Sequence, residues 1–180
     1  ADGNRFSYVY AGDMNGDGIG RNDLMYVPKD ETEINLVPVD ANDTRTTAEL
    51  WQQLNAYIEQ DDYLKSRRGN YAERNGAVLP WSTKIDLRIL QNFYLMLGEK
   101  RNTFQLSIDI LNVGNLLNSE WGVRGTVNTK NPLTFVKYEN GEPVFSFPLS
   151  GGKPLTKTFS DDVTLASRWQ AQIGLRYIFN

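Results

Sequence analysis

The sequence predicts an all-β, antiparallel fold, from three observations: four stretches that alternate apolar and other residues, one tight polar turn, and two very long connections. Period two puts alternate side chains on one face of a strand. The first stretch, 5–11, sets Phe6, Tyr8 and Tyr10 on one side. The second, 81–97, alternates Ile85, Leu87 and Ile89 with Lys84, Asp86 and Arg88, then becomes apolar on both faces at its end. The third, 103–113, sets Phe104, Leu106, Ile108 and Ile110 against Gln105, Ser107 and Asp109. The fourth, 168–180, is the clearest. Trp169, Ala171, Ile173, Leu175, Tyr177 and Phe179 share one face, Gln170, Gln172, Gly174 and Arg176 hold the other, and only Ile178 breaks the pattern.

The connections differ sharply. Residues 98–102 form a polar turn that makes a hairpin of the second and third strands, whereas the connections 12–80 and 114–167 run to about seventy and more than fifty residues. In the first of these, Thr46 and Glu49 form a capping box, and Leu50, Leu54, Tyr57 and Ile58 recur at helical spacing. A helix is expected there, stopping by Gly69, with its apolar stripe packed on neighbouring loops. In the second, residues 134–147 predict a hairpin turned at Asn140-Gly141. No internal repeat, low-complexity stretch or composition break divides the chain, so 1–180 reads as a single region.

Composition narrows the chemistry. There is no cysteine and no histidine, which removes thiol and Ser-His nucleophiles, disulfides and the usual zinc and copper ligands. Any metal must be held by oxygen. The net charge of −3, from 19 basic against 22 acidic residues, gives no bulk reason to bind nucleic acid. No apolar run is long enough for a membrane-spanning helix. Residues 1–5 lack the charged start and apolar stretch of a signal peptide, so a mature or truncated chain is expected.

The most specific local pattern is Asp13-Met14-Asn15-Gly16-Asp17-Gly18-Ile19, three oxygen side chains at alternate positions with a glycine where a calcium loop turns. It resembles the first half of an EF-hand loop. Asp13, Asn15 and Asp17 would give side-chain oxygens and Ile19 a backbone carbonyl, and Asp23 would close the site because position twelve is Leu24. An ordinary Asn/Asp/Gly turn explains the same residues without a metal. The pairs Asp61-Asp62 and Asp161-Asp162 read as solvated loop or helix-end charges, and Arg67-Arg68 as a cluster favoured at a helix C-terminus. Trp81 and Trp169 fit interfacial anchoring at strand ends, Trp51 adjoins the helix stripe, and Trp121 alone is free for ring stacking on a carbohydrate. No catalytic constellation is recognised, and an enzyme is not expected.

Alternation alone fits a soluble sheet as well as a membrane barrel. Short turns on one side with long loops on the other, lumen-like Gln, Asp, Arg and Lys on the polar faces, and aromatics at the strand ends favour a bacterial outer-membrane barrel. The apolar faces of all four strands would then meet lipid, the long loops would lie outside the cell and the C-terminus on the periplasmic side. Four strands do not close a barrel, so the C-terminal strands of a larger transmembrane β-barrel are expected, with long extracellular loops, one containing a helix.

The final stretch, Gln172-Ile173-Gly174-Leu175-Arg176-Tyr177-Ile178-Phe179, resembles the β-signal read by the barrel-assembly machinery. With residues 12–18, 22–28, Arg67-Arg68-Gly69, Glu73-Arg74-Asn75, Pro80-Trp81 and 112–118, the chain is similar to the last strands and loops of TonB-dependent receptors that carry a carboxypeptidase-regulatory-like extension. That resemblance implies an outer-membrane location, nutrient uptake, and dependence on a TonB energy-coupling complex through a plug that this chain lacks. The alternative is a soluble, calcium-stabilised β-rich module that binds a ligand through its long loops.

Overall fold

The structure, a computed structural model, describes residues 4–179. In chain order the elements are β1 (Arg5–Phe6), β2 (Tyr26–Val27), β3 (Asn35–Leu36), α1 (Thr47–Glu59), α2 (Asp62–Ser66), β4 (Asn70–Tyr71), β5 (Ala77–Val78), β6 (Leu87–Leu97), β7 (Lys100–Leu111), α3 (Val113–Leu117), β8 (Gly125–Val127), β9 (Thr134–Glu139), β10 (Glu142–Ser146), β11 (Leu149–Ser150), β12 (Lys153–Pro154), β13 (Phe159–Asp161) and β14 (Gln170–Ile178). Strands dominate, mostly in antiparallel pairs, as the alternation predicts, and no closed barrel is found among the described residues. The chain divides into two compact units. One comprises the residues up to Leu79 with Thr126–Ser160; the other comprises Pro80–Gly125 with the residues from Asp161 on.

The first unit is organised by the helix that the capping box foretells. Thr46 accepts from the Glu49 amide while the Glu49 carboxylate accepts from the Thr46 amide, so two orphan donors at the start of α1 are satisfied. The stripe of Leu50, Leu54, Tyr57 and Ile58 is fully buried. Burying each such side chain contributes about 1.5–3 kcal/mol, which is what holds α1 in place. The helix stops at Gln60, earlier than Gly69, because Asp61 caps a second short helix, α2, by accepting from the Leu64 amide. The expected hairpin forms as β9 and β10, with Asn140 and Gly141 both left-handed, as its two-residue turn requires. β10 also pairs in parallel with β3.

The stretch 5–11 departs from expectation. Only Arg5–Phe6 is a strand, paired with Ala77–Val78, and single bridges Val9–Leu24 and Ala11–Thr134 follow. Phe6, Tyr8 and Tyr10 lie in the core with Met25, Leu50, Tyr57, Leu133 and Phe147. Their alternating face meets protein and not lipid, which corrects its assignment as a fourth spanning strand. Much of the connections 12–80 and 114–167 is likewise not loop but the body of this unit.

In the second unit the sheet order is β14–β7–β6, antiparallel throughout. The turn narrows from the expected 98–102 to Gly98-Glu99, because residues 100–102 continue β7 opposite 95–97. Gly98 at φ 65 supplies the positive φ at the first central position that a type II′ turn needs. β6 begins at Leu87 and not at 81, since the left-handed Asn112 ends the ladder just past Leu111, beyond which only the Val113 amide donates to the Ile85 carbonyl. Asn112 turns the chain there with a left-handed backbone, φ 54, and its amide donates to Asp86. β14 covers Gln170–Ile178 of the expected 168–180, whose last residue lies outside the described residues.

Candidate functional site

Two places carry the chemistry that the sequence singles out: the faces of the three-stranded sheet and the Asp/Asn/Gly loop at 13–23. On one face of the sheet the rows across β6, β7 and β14 read Leu87–Ile110–Ala171, Ile89–Ile108–Ile173, Gln91–Leu106–Leu175 and Phe93–Phe104–Tyr177. On the other they read Arg88–Asp109–Gln172, Leu90–Ser107–Gly174, Asn92–Gln105–Arg176 and Tyr94–Thr103–Ile178. Rows repeat every two residues, so four of them extend about 20 Å along the strands. The apolar face is uncovered: Ile173 and Leu175 are each 72% exposed and Phe93 is 57%. Every residue of β6 is exposed on both faces.

The polar face satisfies itself across strands. Arg88 pairs with Asp109 at 3.1 Å, Gln105 donates to Asn92 at 3.0 Å, and the Arg101 guanidinium lies 3.8 Å from the centre of the Tyr94 ring. Gly174 stands opposite Ser107, and a Cβ there would come within 2.6 Å of the serine Oγ. This close approach is a local reason for glycine in the final strand. At the far end of β7, Asn112 donates to the carbonyls of Gly122 and Ser167, while Asn115 donates to those of Ser119 and Trp121 and accepts from the Trp169 amide. The 112–118 motif is thus a lock that ties two connections to the sheet end. Trp81 and Trp121 are exposed, Trp169 is partly exposed, and Trp51 packs on the first unit's core.

The loop at 13–23 is closed by its own hydrogen bonds. Asp13 accepts from the amides of Gly16 and Gly18, each at 2.8 Å, and also from that of Asp17. Asn15 Oδ1 accepts from the Asp17 amide, and Asp17 accepts from the Ile19 amide and the side chains of Asn15 and Asn22. The Ile19 amide, with help from Asn22, holds the Asp17 carboxyl below the usual carboxylate range. Asp13, Asn15 and Asp17 are therefore brought together, with Ile19 beside them. Asp23 accepts from the amide of Met14, the residue after Asp13, at 2.9 Å. No group of three or more Asp, Glu, His or Cys side chains suited to a metal forms among the described residues. The oxygen donors suit calcium in type, while the hydrogen bonds alone account for the loop's shape.

Comparison with protein families, with curated proteins and with solved structures finds no match to this chain.

The paired acids separate in role. Asp61 is 5% exposed, not solvated: it accepts from the Tyr8 hydroxyl at 2.5 Å and the Thr158 hydroxyl at 2.6 Å, and Gln60 donates to Thr158 at 2.8 Å. Asp162 is also buried, capping the turn at Thr164 and pairing with Arg124, whereas Asp62 and Asp161 are exposed. Arg68 binds Glu59, the Asn55 side chain and the Pro28 carbonyl, and Arg67 binds Glu73 and the Tyr71 carbonyl. The basic cluster is a structural clamp. Sequence reasoning misses the Tyr8–Asp61–Thr158 network, because its members lie 53 and 97 positions apart and have no common motif.

Burial pushes the Tyr8 and Tyr10 hydroxyls far above the usual phenol range and that of Tyr57 up to about 12. All three stay neutral in the folded state where the unfolded chain already ionises, so their contribution to stability is whole below about pH 10 and lost as pH rises above it. Thermal melting of the first unit is expected to fall steeply between about pH 10 and 12. Tyr8→Phe should flatten that fall, and an unchanged pH profile in this variant would contradict the assignment.

Proposed function

We propose that this chain is the C-terminal part of an outer-membrane TonB-dependent receptor, which imports a nutrient with energy delivered through the rest of the receptor. One observation carries the reading: a sheet of long strands with an uncovered face that is apolar at every row position but Gln91, and an opposite face on which Arg88 pairs with Asp109 and Gln105 with Asn92. Strands of 9 to 12 residues have the length that crosses a bilayer when tilted. Apolar-out and polar-in alternation is the pattern of a barrel wall, and unpaired edges at β6 and β14 are where further strands would join. On this reading the first unit belongs to the extracellular loops. The Gln172–Phe179 segment would engage the barrel-assembly machinery, and energy coupling would act on the full-length protein.

Deletion of Phe179 and Asn180 in the full-length receptor tests this. A sharp fall in outer-membrane level is expected, with unchanged substrate affinity in the receptor that remains. Burial of one aromatic side chain stabilises by about 2 kcal/mol, too little to unfold a large barrel, so such a loss points to failed recognition during assembly. Normal abundance with lost affinity would place Phe179 in a ligand site and overturn the reading.

The alternative, a soluble calcium-stabilised β-rich module, has one observation in its favour: the first unit buries its own core. Both readings share a loop suited to calcium through Asp13, Asn15, Asp17 and the Ile19 carbonyl, with Asp23 nearby. Calcium at 100 times its dissociation constant would stabilise the folded state by about 2.7 kcal/mol. Addition of calcium is expected to raise the melting temperature over a chelator baseline, and Asp13→Ala with Asp17→Ala should abolish the rise. No shift in the unmutated chain would leave an ordinary turn.

A further inference from the structure

Arg5, Arg21, Arg74 and Lys130, from four distant parts of the sequence, line one open groove of about 650 Å³ in the first unit. Among the described residues no acidic side chain lines it and none of the four cations forms an ion pair. This is unexpected in its setting, since the first unit carries 12 basic against 16 acidic residues, a net charge of −4. Elsewhere in this unit Arg45, Lys65, Arg67, Arg68 and Lys137 each have a carboxylate partner. Four like charges along one groove without a counter-charge among the described residues leave a local excess of positive potential there.

The backbone adds a second sign. Arg21 is left-handed, φ 68, a conformation that side chains larger than Asn or Asp seldom adopt, and Asn75, which also lines the groove, is left-handed as well, φ 55. The Asn75 amide donates to the Ser7 hydroxyl at 2.7 Å, which fixes that wall. Strain at a non-glycine residue persists where the surroundings hold it, and such residues gather at ligand sites.

We propose that this groove binds a small polyanion, a ligand bearing two or more phosphate, sulfate or carboxylate groups. Three guanidinium forks match such groups in pairs of parallel hydrogen bonds, the lysine adds a point charge, and the volume suits a small molecule. The proposal stands apart from the membrane reading, because every residue of the groove belongs to the first unit.

The test is a calorimetric titration of the whole chain, in uncharged detergent micelles, with tripolyphosphate. Saturable binding that weakens as salt rises is expected. Arg21→Gly should weaken it about tenfold, the effect of losing one charge-assisted contact, without lowering the melting temperature, because glycine takes the left-handed backbone freely. Arg74→Gln provides the same loss of charge without altering that turn. Lys153→Gln, which removes a cation of the same unit outside the groove, should leave affinity within about twofold, as expected for a distant screened charge. Absence of saturable binding overturns the proposal, as does equal weakening by Lys153→Gln, binding unaffected by both groove variants, or binding only to micelles doped with an anionic phospholipid.

Discussion

Replacing Ile108 with arginine is expected to stop the chain from assembling in a membrane, while arginine at Ser107 is tolerated. Ile108 sits in the middle strand between Ile89 and Ile173, at the centre of the apolar rows. Ser107, one residue away, stands between Leu90 and Gly174 on the opposite face. A charge on the lipid side at the bilayer midplane costs about 2–4 kcal/mol on a membrane barrel, whereas on the lumen side it stays hydrated. A membrane-insertion assay on the two variants reads the difference, and equal insertion would contradict the assignment of faces.

Asp61→Ala should strongly destabilise the first unit. It strips the acceptor from the buried hydroxyls of Tyr8 and Thr158 and removes the cap of α2. A buried group left unsatisfied costs about 1–3 kcal/mol and a lost cap about 1 kcal/mol, which together give about 2–4 kcal/mol. Asp61→Asn keeps a single oxygen, which can serve the α2 cap or the two hydroxyls but not both, and should cost less than Asp61→Ala. Urea unfolding followed by near-ultraviolet circular dichroism measures both. A loss below about 1 kcal/mol for Asp61→Ala would mean the network is incidental to the fold.

What the sequence makes legible is what local chemistry decides. The Thr46–Glu49 box, the helical stripe after it, the Asn140-Gly141 turn and the alternation within each of the last three long strands each follow from residues close together in the chain. The stretch around Tyr8 shows the limit. Alternation says that Phe6, Tyr8 and Tyr10 share a face, but not whether that face meets lipid or protein, and here long-range packing against Leu50, Tyr57 and Phe147 decides. The helix end was equally open to competition, since Asp61 serves both a cap and a partner 97 positions away. For the loop at 13–23, the turn was legible because Asp, Asn and Gly act on their own backbone. The bond that the Asp23 side chain accepts from the Met14 amide follows from no spacing rule.

The central claim is that one face of the β6–β7–β14 sheet meets lipid and the other water. The chain contains no cysteine, so a single introduced cysteine is the sole attachment point for a spin label. Labels at Ile89 and Ile173 on the apolar face, and at Arg88 and Gln172 on the polar face, would be read by electron paramagnetic resonance in outer-membrane vesicles. The account predicts that the first pair collides with dissolved oxygen and is shielded from a water-soluble nickel complex, and that the second pair does the reverse. Equal access of the nickel complex at all four positions, or shielding of the first pair from both reagents, would contradict it.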